Sequence, residues 1–251
     1  MRVQLHPAQR FILQSNKPKK VYIGGRVCGK TRAAVVASIQ SAANWNRTDV
    51  LCPKHDIAMQ FRERVLEIIE QSDMKCETNT QHTIELELGR EINFWSTQGA
   101  GWEEDIKESP CVVVEEAQKV PVDKLKNIIE RPKVFIASQN HAKTNLTIDY
   151  EEDDDWEYVI APTTMNPEVS GAMLEKQAMS FEKRMFGSDF MIHLMDLSNR
   201  HTLAVPNQAY PYWKLQCLGC NFSETVDVRD GMNSDVKEYL IGKALHTDCQ
   251  P

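Results

Sequence analysis

No apolar run in this 251-residue chain reaches the ~18 to 20 residues needed to cross a bilayer, which excludes a helical membrane span. The N-terminus lacks the basic-then-apolar layout of a secretory leader, so a reducing cytoplasm is the expected compartment. Excess positive charge is missing too: the net charge is −7 and the pI about 5.6. Proteins that coat nucleic acid non-specifically are usually basic. Any nucleic-acid contact must therefore use a local basic surface, or one shared with partner subunits. The chain has no internal repeat. Its seven cysteines do not suit a disulfide framework in that compartment. Cys28, Cys52, Cys76 and Cys111 are scattered, whereas Cys217, Cys220 and Cys249 crowd the C-terminus.

What is present is length for one large α/β domain plus a small module, or for two modest domains, and 41% apolar residues, enough for a sizeable core. Residues 6–15 read as a short helix and 21–23 as a short strand that stops at Gly24-Gly25. Residues 30–44, rich in Ala, Val and Ile, read as a helix. A strand is expected at 49–52 and an amphipathic helix at 57–69, with Phe61, Val65, Ile68 and Ile69 at helical spacing. Residues 83–88 alternate, break at Gly89-Arg90 and resume at 91–94, a hairpin signal. The apolar runs 111–114 and 134–137 suit buried parallel strands. Another strand is expected at 156–160, a helix at 167–185 and a further segment at 190–197. The alternation argues for an α/β fold with a mostly parallel sheet. Texture changes near 205–211, so the expected division is 1–205 and 206–251.

Gly24-Gly25-Arg26-Val27-Cys28-Gly29-Lys30-Thr31 fits G-x-x-x-x-G-K-[ST] at every fixed position, between an expected strand and an expected helix. Glycines let the backbone curl so that its N–H groups face phosphate oxygens, and the helix start adds its positive end. Lys30 is expected at the β- and γ-phosphates of ATP and the Thr31 hydroxyl on Mg²⁺. Arg26 suits stabilisation of transition-state charge, sensing of the γ-phosphate, or a structural ion pair.

An ATP hydrolase also needs acids at the sheet's carboxyl edge. Val112-Val113-Val114-Glu115-Glu116 supplies them: Glu115 for Mg²⁺ and Glu116 to activate water. Lys30, Arg26 and Glu116 form the expected catalytic set. Ser138, Gln139 and Asn140 close the next apolar strand, and either report loss of the γ-phosphate or make a polar turn. The Gln9 amide presents the donor and acceptor that an adenine edge requires.

Cys217-x-x-Cys220 and His246-x-x-Cys249 form C-x2-C-x25-H-x2-C, which suits tetrahedral Zn²⁺ with three thiolates and one imidazole. Residues 223–228 can form a strand between the pairs, and Ser234 can cap a helix to Ala244. Tyr212 and Trp213 either pack this module or stack on a base.

In order, His6-Pro7-Ala8-Gln9-Arg10, the arginine-bearing phosphate loop, Val112 to Ala117, Ala137-Ser138-Gln139-Asn140, Thr163-Thr164-Met165-Asn166-Pro167 and Phe186-Gly187-Ser188-Asp189-Phe190 resemble the ATPase domain of viral terminase large subunits. The resemblance covers roughly residues 5–197. It implies a P-loop ATPase fold of the ASCE, RecA-like kind. It also implies an ATP-driven motor moving double-stranded DNA in the host cytoplasm, as a homo-oligomeric ring working with small terminase and portal subunits. The same resemblance assigns adenine to Gln9, phosphate and Mg²⁺ to Lys30 and Thr31, and water activation to Glu116. The sequence departs from the family at Glu115, where aspartate is usual. About 54 residues follow position 197, too few for the nuclease domain such subunits usually carry. The expectation is therefore no nuclease activity here, with a separate nuclease subunit. A helicase-like or repair ATPase, and a nucleotide-switch assembly protein with little turnover, are the alternative readings.

Overall fold

The computed structural model describes residues 5–25, 27–72, 74–139, 153–161, 202–206, 212–217 and 223–227. Helix α1 (Pro7–Gln14) starts on a capping box, with Pro7 at a position that needs no backbone donor. Strand β1 (Lys19–Gly24) runs into the phosphate loop, and helix α2 (Lys30–Trp45) leaves it. Strand β2 (Arg47–Cys52) and helix α3 (His55–Glu70) follow. The α3 side buried on the sheet is Ala58, Phe61, Val65, Ile68 and Ile69, the stripe that the sequence spacing predicts.

Strands β3 (Cys76–Thr80), β4 (Thr83–Leu86) and β5 (Arg90–Ser96) form an antiparallel run. The expected hairpin is there, but its first strand ends at Leu86. Leu88 sits in the turn at φ 70° and is 85% exposed. Helix α4 (Trp102–Lys107), strand β6 (Val112–Val114), a 3-10 turn (Ala117–Lys119), helix α5 (Val122–Ile129), strand β7 (Val134–Ser138) and strand β8 (Trp156–Ala161) complete this part.

These elements make one eight-stranded sheet in the order β3-β4-β5-β2-β6-β7-β1-β8. All pairs from β5 to β8 are parallel. Every residue of β6 and β7 is buried, as expected where a parallel sheet is covered by helices. The mixed α/β fold with a mostly parallel, helix-flanked sheet is thus observed. One consequence of the order positions the site. Strand β7 lies between β1, which carries the phosphate loop, and β6, which carries the acids. The tips of all three strands point to the same edge because the strands are parallel.

A second sheet joins β9 (Thr202–Pro206), β10 (Tyr212–Cys217) and β11 (Ser223–Asp227), all antiparallel. Strand β9 pairs with β10 across the expected division at 205/206. This sheet therefore draws on residues from both sides of it. The expected helix at 167–185 and the segment 190–197 lie outside the described residues. Among the described residues no helix is long and apolar enough to cross a membrane.

Candidate nucleotide site

The phosphate loop is shaped by two left-handed residues, Val27 at φ 62° and Gly29 at φ 87°. A β-branched residue rarely adopts this region, so Val27 marks a loop whose conformation is dictated by its surroundings. Gly29 is required on two counts. Its φ favours glycine, and a Cβ there would lie 2.5 Å from Gln9 Nε2 and 2.8 Å from His6 Nε2.

Those close neighbours form a clamp from the N-terminal helix. Gln9, 2% exposed, donates from Nε2 to the Gly29 carbonyl at 2.7 Å, and its Oε1 accepts from the His6 N–H at 3.0 Å. His6 Nε2 lies 2.8 Å from the Cys28 carbonyl, so this nitrogen carries the hydrogen. Tyr22 donates to the same carbonyl at 3.1 Å. Burial pushes the Tyr22 hydroxyl well above its usual value, so it remains a donor. Peptide planarity turns these contacts into function. The carbonyls of Cys28 and Gly29 are held toward α1, so the N–H groups of Gly29 and Lys30 point the opposite way. Helix α2 has no side-chain cap, and its first-turn N–H groups suit an anion.

The Lys30 ammonium rests on the Gly25 carbonyl at 2.9 Å, within its own loop. The Thr31 hydroxyl donates to Glu115 Oε1 in a short contact, which joins the start of α2 to the end of β6. Glu115 is 4% exposed, and its other oxygen, Oε2, is buried without a hydrogen-bond partner among the described residues. Burial raises its pKa to about 7, opposed by the Thr31 hydrogen bond and the Lys30 charge and reinforced by Glu116. A hydroxyl and a carboxylate with one spare oxygen are hard oxygen donors of the kind Mg²⁺ takes, together with phosphate oxygens and water. The residues present therefore fit that ion.

Glu116 leaves β6 in the left-handed region, at φ 51° and ψ 44°. Its carboxylate accepts from Lys119 Nζ at 2.6 Å. Its charge still acts on Glu115, so the two acids share a neighbourhood. Ser138 and Gln139 are tied to the turn after β6: the Gln139 N–H donates to Gln118 Oε1 at 2.9 Å, and Ser138 Oγ lies 3.4 Å from the same oxygen.

The structure thus brings Gln9, Gly24, Gly25, Val27, Cys28, Gly29, Lys30, Thr31, Glu115, Ser138 and Gln139 to one edge of the sheet, with Glu116 beside them. Arg26 and Asn140 lie outside the described residues, as do Cys220, His246 and Cys249. Cys217 ends β10. Among the described residues no group of three or more His, Cys, Asp or Glu side chains is arranged to hold a metal. Trp102 is an anchor, 4% exposed, with the Lys124 ammonium over its ring at 5.1 Å.

Sequence reasoning missed His6, Tyr22, Gln118 and Lys119 as site residues. The signals were small. His6 and Gln9 have capping-box spacing, and Tyr22 is a polar-tipped residue between Val21 and Ile23. Gln118 and Lys119 lie two and three residues beyond the second acid.

No family model and no curated protein sequence matches this chain. Solved structures do match. The large terminase of a thermophilic bacteriophage aligns over 99% of this chain and 75% of its own, at 11% identity and a TM-score of 0.60. The same terminase in complex with ATP-gamma-S aligns over 94% and 72%, at 12% identity and a TM-score of 0.55. The large terminase ATPase domain of a Thermus phage, in a mutant form, covers 63% of this chain and 82% of its own, at 16% identity and a TM-score of 0.52. Likeness at such identities is likeness of fold, and this chain has the fold of a phage large-terminase ATPase domain.

Proposed function

We propose that the chain is a Mg²⁺-dependent ATP hydrolase that drives movement of double-stranded DNA, as in packaging a viral genome. The observation that carries this reading is the Thr31–Glu115 contact, with the second Glu115 oxygen buried and unmatched. It joins a phosphate loop to an acidic strand tip across an intervening strand, an arrangement suited to holding a cation against a triphosphate. Bound there, Mg²⁺ would neutralise phosphate charge and align the γ-phosphoryl group.

The protein's own groups do the rest. The Gly29 and Lys30 amides and the Lys30 ammonium hold the phosphates. Glu116, freed from Lys119, orients and deprotonates the attacking water. Arg26 offsets the charge that builds on the transferred group, and Ser138, Gln139 and Asn140 carry the change away from the site. The fold neighbour solved with ATP-gamma-S supports the choice of nucleotide. A ring of copies, acting with portal and small-terminase subunits, completes the proposal. So does a zinc-bound C-terminal module of residues 206–251 held by Cys217, Cys220, His246 and Cys249.

ATP turnover measured with and without duplex DNA tests the reading. Expected is DNA-stimulated hydrolysis that falls by about 100-fold or more in Glu116→Gln, as for loss of a general base. Turnover indifferent to DNA would remove the motor. The Glu116–Lys119 ion pair favours one competing reading, a nucleotide switch with little turnover. Tight ATP binding with negligible hydrolysis, even with DNA present, would select it.

A further inference from the structure

The turn that leaves β6 places three polar side chains in four residues. Glu116 opens it in the left-handed region, and Lys119 reaches back to the Glu116 carboxylate. Gln118 instead reaches the neighbouring strand. Its Oε1 accepts the Gln139 N–H at 2.9 Å, just beyond the end of β7. A backbone N–H can only donate, so the Gln118 oxygen must face β7 and its NH₂ must face the other way. That nitrogen is buried and has no acceptor among the described residues. Unmatched buried donors are uncommon in folded proteins and call for a reason. Three residues earlier, Glu115 Oε2 is also buried and unmatched. One end of β6 thus offers both a spare acceptor and a spare donor, beside a phosphate loop that Thr31 already joins to it.

Resting on the ATPase reading above, we propose that Gln118 is the positioning residue through which occupancy of the nucleotide site reaches the segment leaving β7. Its amide is one rigid plane. The donor end takes an oxygen of the bound nucleotide or of its attendant water. The acceptor end holds Gln139. Drawing the plane toward the nucleotide therefore loads or releases the Gln139 N–H. Strands β6 and β7 are locked in parallel register, with Val113 opposite Phe135 and Val114 opposite Ile136. The displacement is therefore confined to the turn and to Gln139. This differs from a direct contact of Ser138–Asn140 with the γ-phosphate, because the signal passes through a residue on the acid-bearing turn.

Hydrogen exchange of the peptide spanning 134–140, with and without Mg²⁺ and a non-hydrolysable ATP analogue, tests this. It is run on the full chain, together with analogue affinity and ATP turnover with and without duplex DNA. In the unmodified protein the analogue should change exchange of this peptide. Gln118→Leu should abolish that change and cut DNA stimulation by at least about fivefold, the scale of ordinary site-to-site coupling. Analogue affinity should fall by no more than about tenfold, the scale of one hydrogen bond. Gln118→Glu keeps an acceptor for Gln139 and loses the donor, so it should protect the peptide without responding to nucleotide. It also serves if the leucine variant does not fold. A nucleotide response or DNA stimulation that survives in Gln118→Glu overturns the proposal, as does an unmodified protein that binds analogue with no change in this peptide. Failure of the unmodified protein to bind or hydrolyse ATP would instead defeat the ATPase reading itself.

Discussion

Glu115 is a buried carboxyl whose charge state is tied to its surroundings. Burial raises its pKa from 4.5 to about 7. The folded state therefore binds a proton more tightly than the unfolded one. The resulting stability is fully present below about pH 4.5 and is lost as pH rises to about 7, because an ionised buried carboxylate then lacks a cation. Nucleotide-free protein should accordingly weaken between pH 5 and 8 relative to Glu115→Gln, by on the order of 3 kcal/mol at most. Denaturant unfolding at several pH values measures this, and parallel curves for the two proteins would refute it. The same ionisation should strengthen Mg²⁺-dependent ATP binding as pH passes 7 in the unmodified protein. In the glutamine variant that dependence should largely disappear, as read by equilibrium nucleotide binding. The residue types here were legible: a Lys-Thr pair after glycine and two acids after three valines. The hydroxyl–carboxylate contact was not, because it spans 84 positions and requires three strands to be correctly ordered.

At the scale of elements, the first helix acts as a brace. Its N-terminal cap and the Gly29 carbonyl share one amide, so the folding of α1 and the shape of the phosphate loop are linked. Gln9→Ala should cost about 1 to 3 kcal/mol through the lost cap and the unmatched Gly29 carbonyl. It should also weaken nucleotide binding without removing the strands. Tyr22→Phe, which leaves His6 on the Cys28 carbonyl, should cost less, about 1 kcal/mol. Unfolding curves and nucleotide titrations of both variants check the order, and equal losses would refute the brace.

Elements with a plain apolar signature, the helical spacing of α3 and the continuous runs of β6 and β7, could be read directly. Strand β3 could not, because its Cys-Glu-Thr-Asn-Thr sequence lies at the sheet edge and β4 supplies its pairing. Helix α4 has six residues, too few to display a period. Helix α5 buries only Leu125 and Ile128. Strands β9 and β10 carry no regular alternation and were likewise missed.

For the whole molecule, the net charge of −7 opposes binding to a polyanion. A single copy should therefore bind duplex DNA poorly, and copies that pool local basic surfaces should bind it better. DNA-stimulated ATP turnover should rise more steeply than in proportion to protein concentration. It should fall by about tenfold or more between 50 and 200 mM salt. Turnover strictly proportional to concentration would argue against a shared surface. The C-terminal quartet adds a separate expectation of one zinc per chain, lost in Cys220→Ser, with ATP binding retained. Metal analysis of the purified protein decides it, and zinc-free protein would remove the proposed module.

Sequence alone determined the chemistry on offer: a curled glycine loop with its lysine and threonine, paired acids at a strand tip, and an α/β alternation to carry them. These depend on residues close together in the chain, where spacing and backbone preference act directly. Only tertiary structure decided that β7 would lie between the loop and the acids, that Gln9 and His6 would grip the loop from behind, and that Gln118 would hold the end of β7. Each of these joins segments brought together by strand order and burial, and neither strand order nor burial is written in any local run of residues.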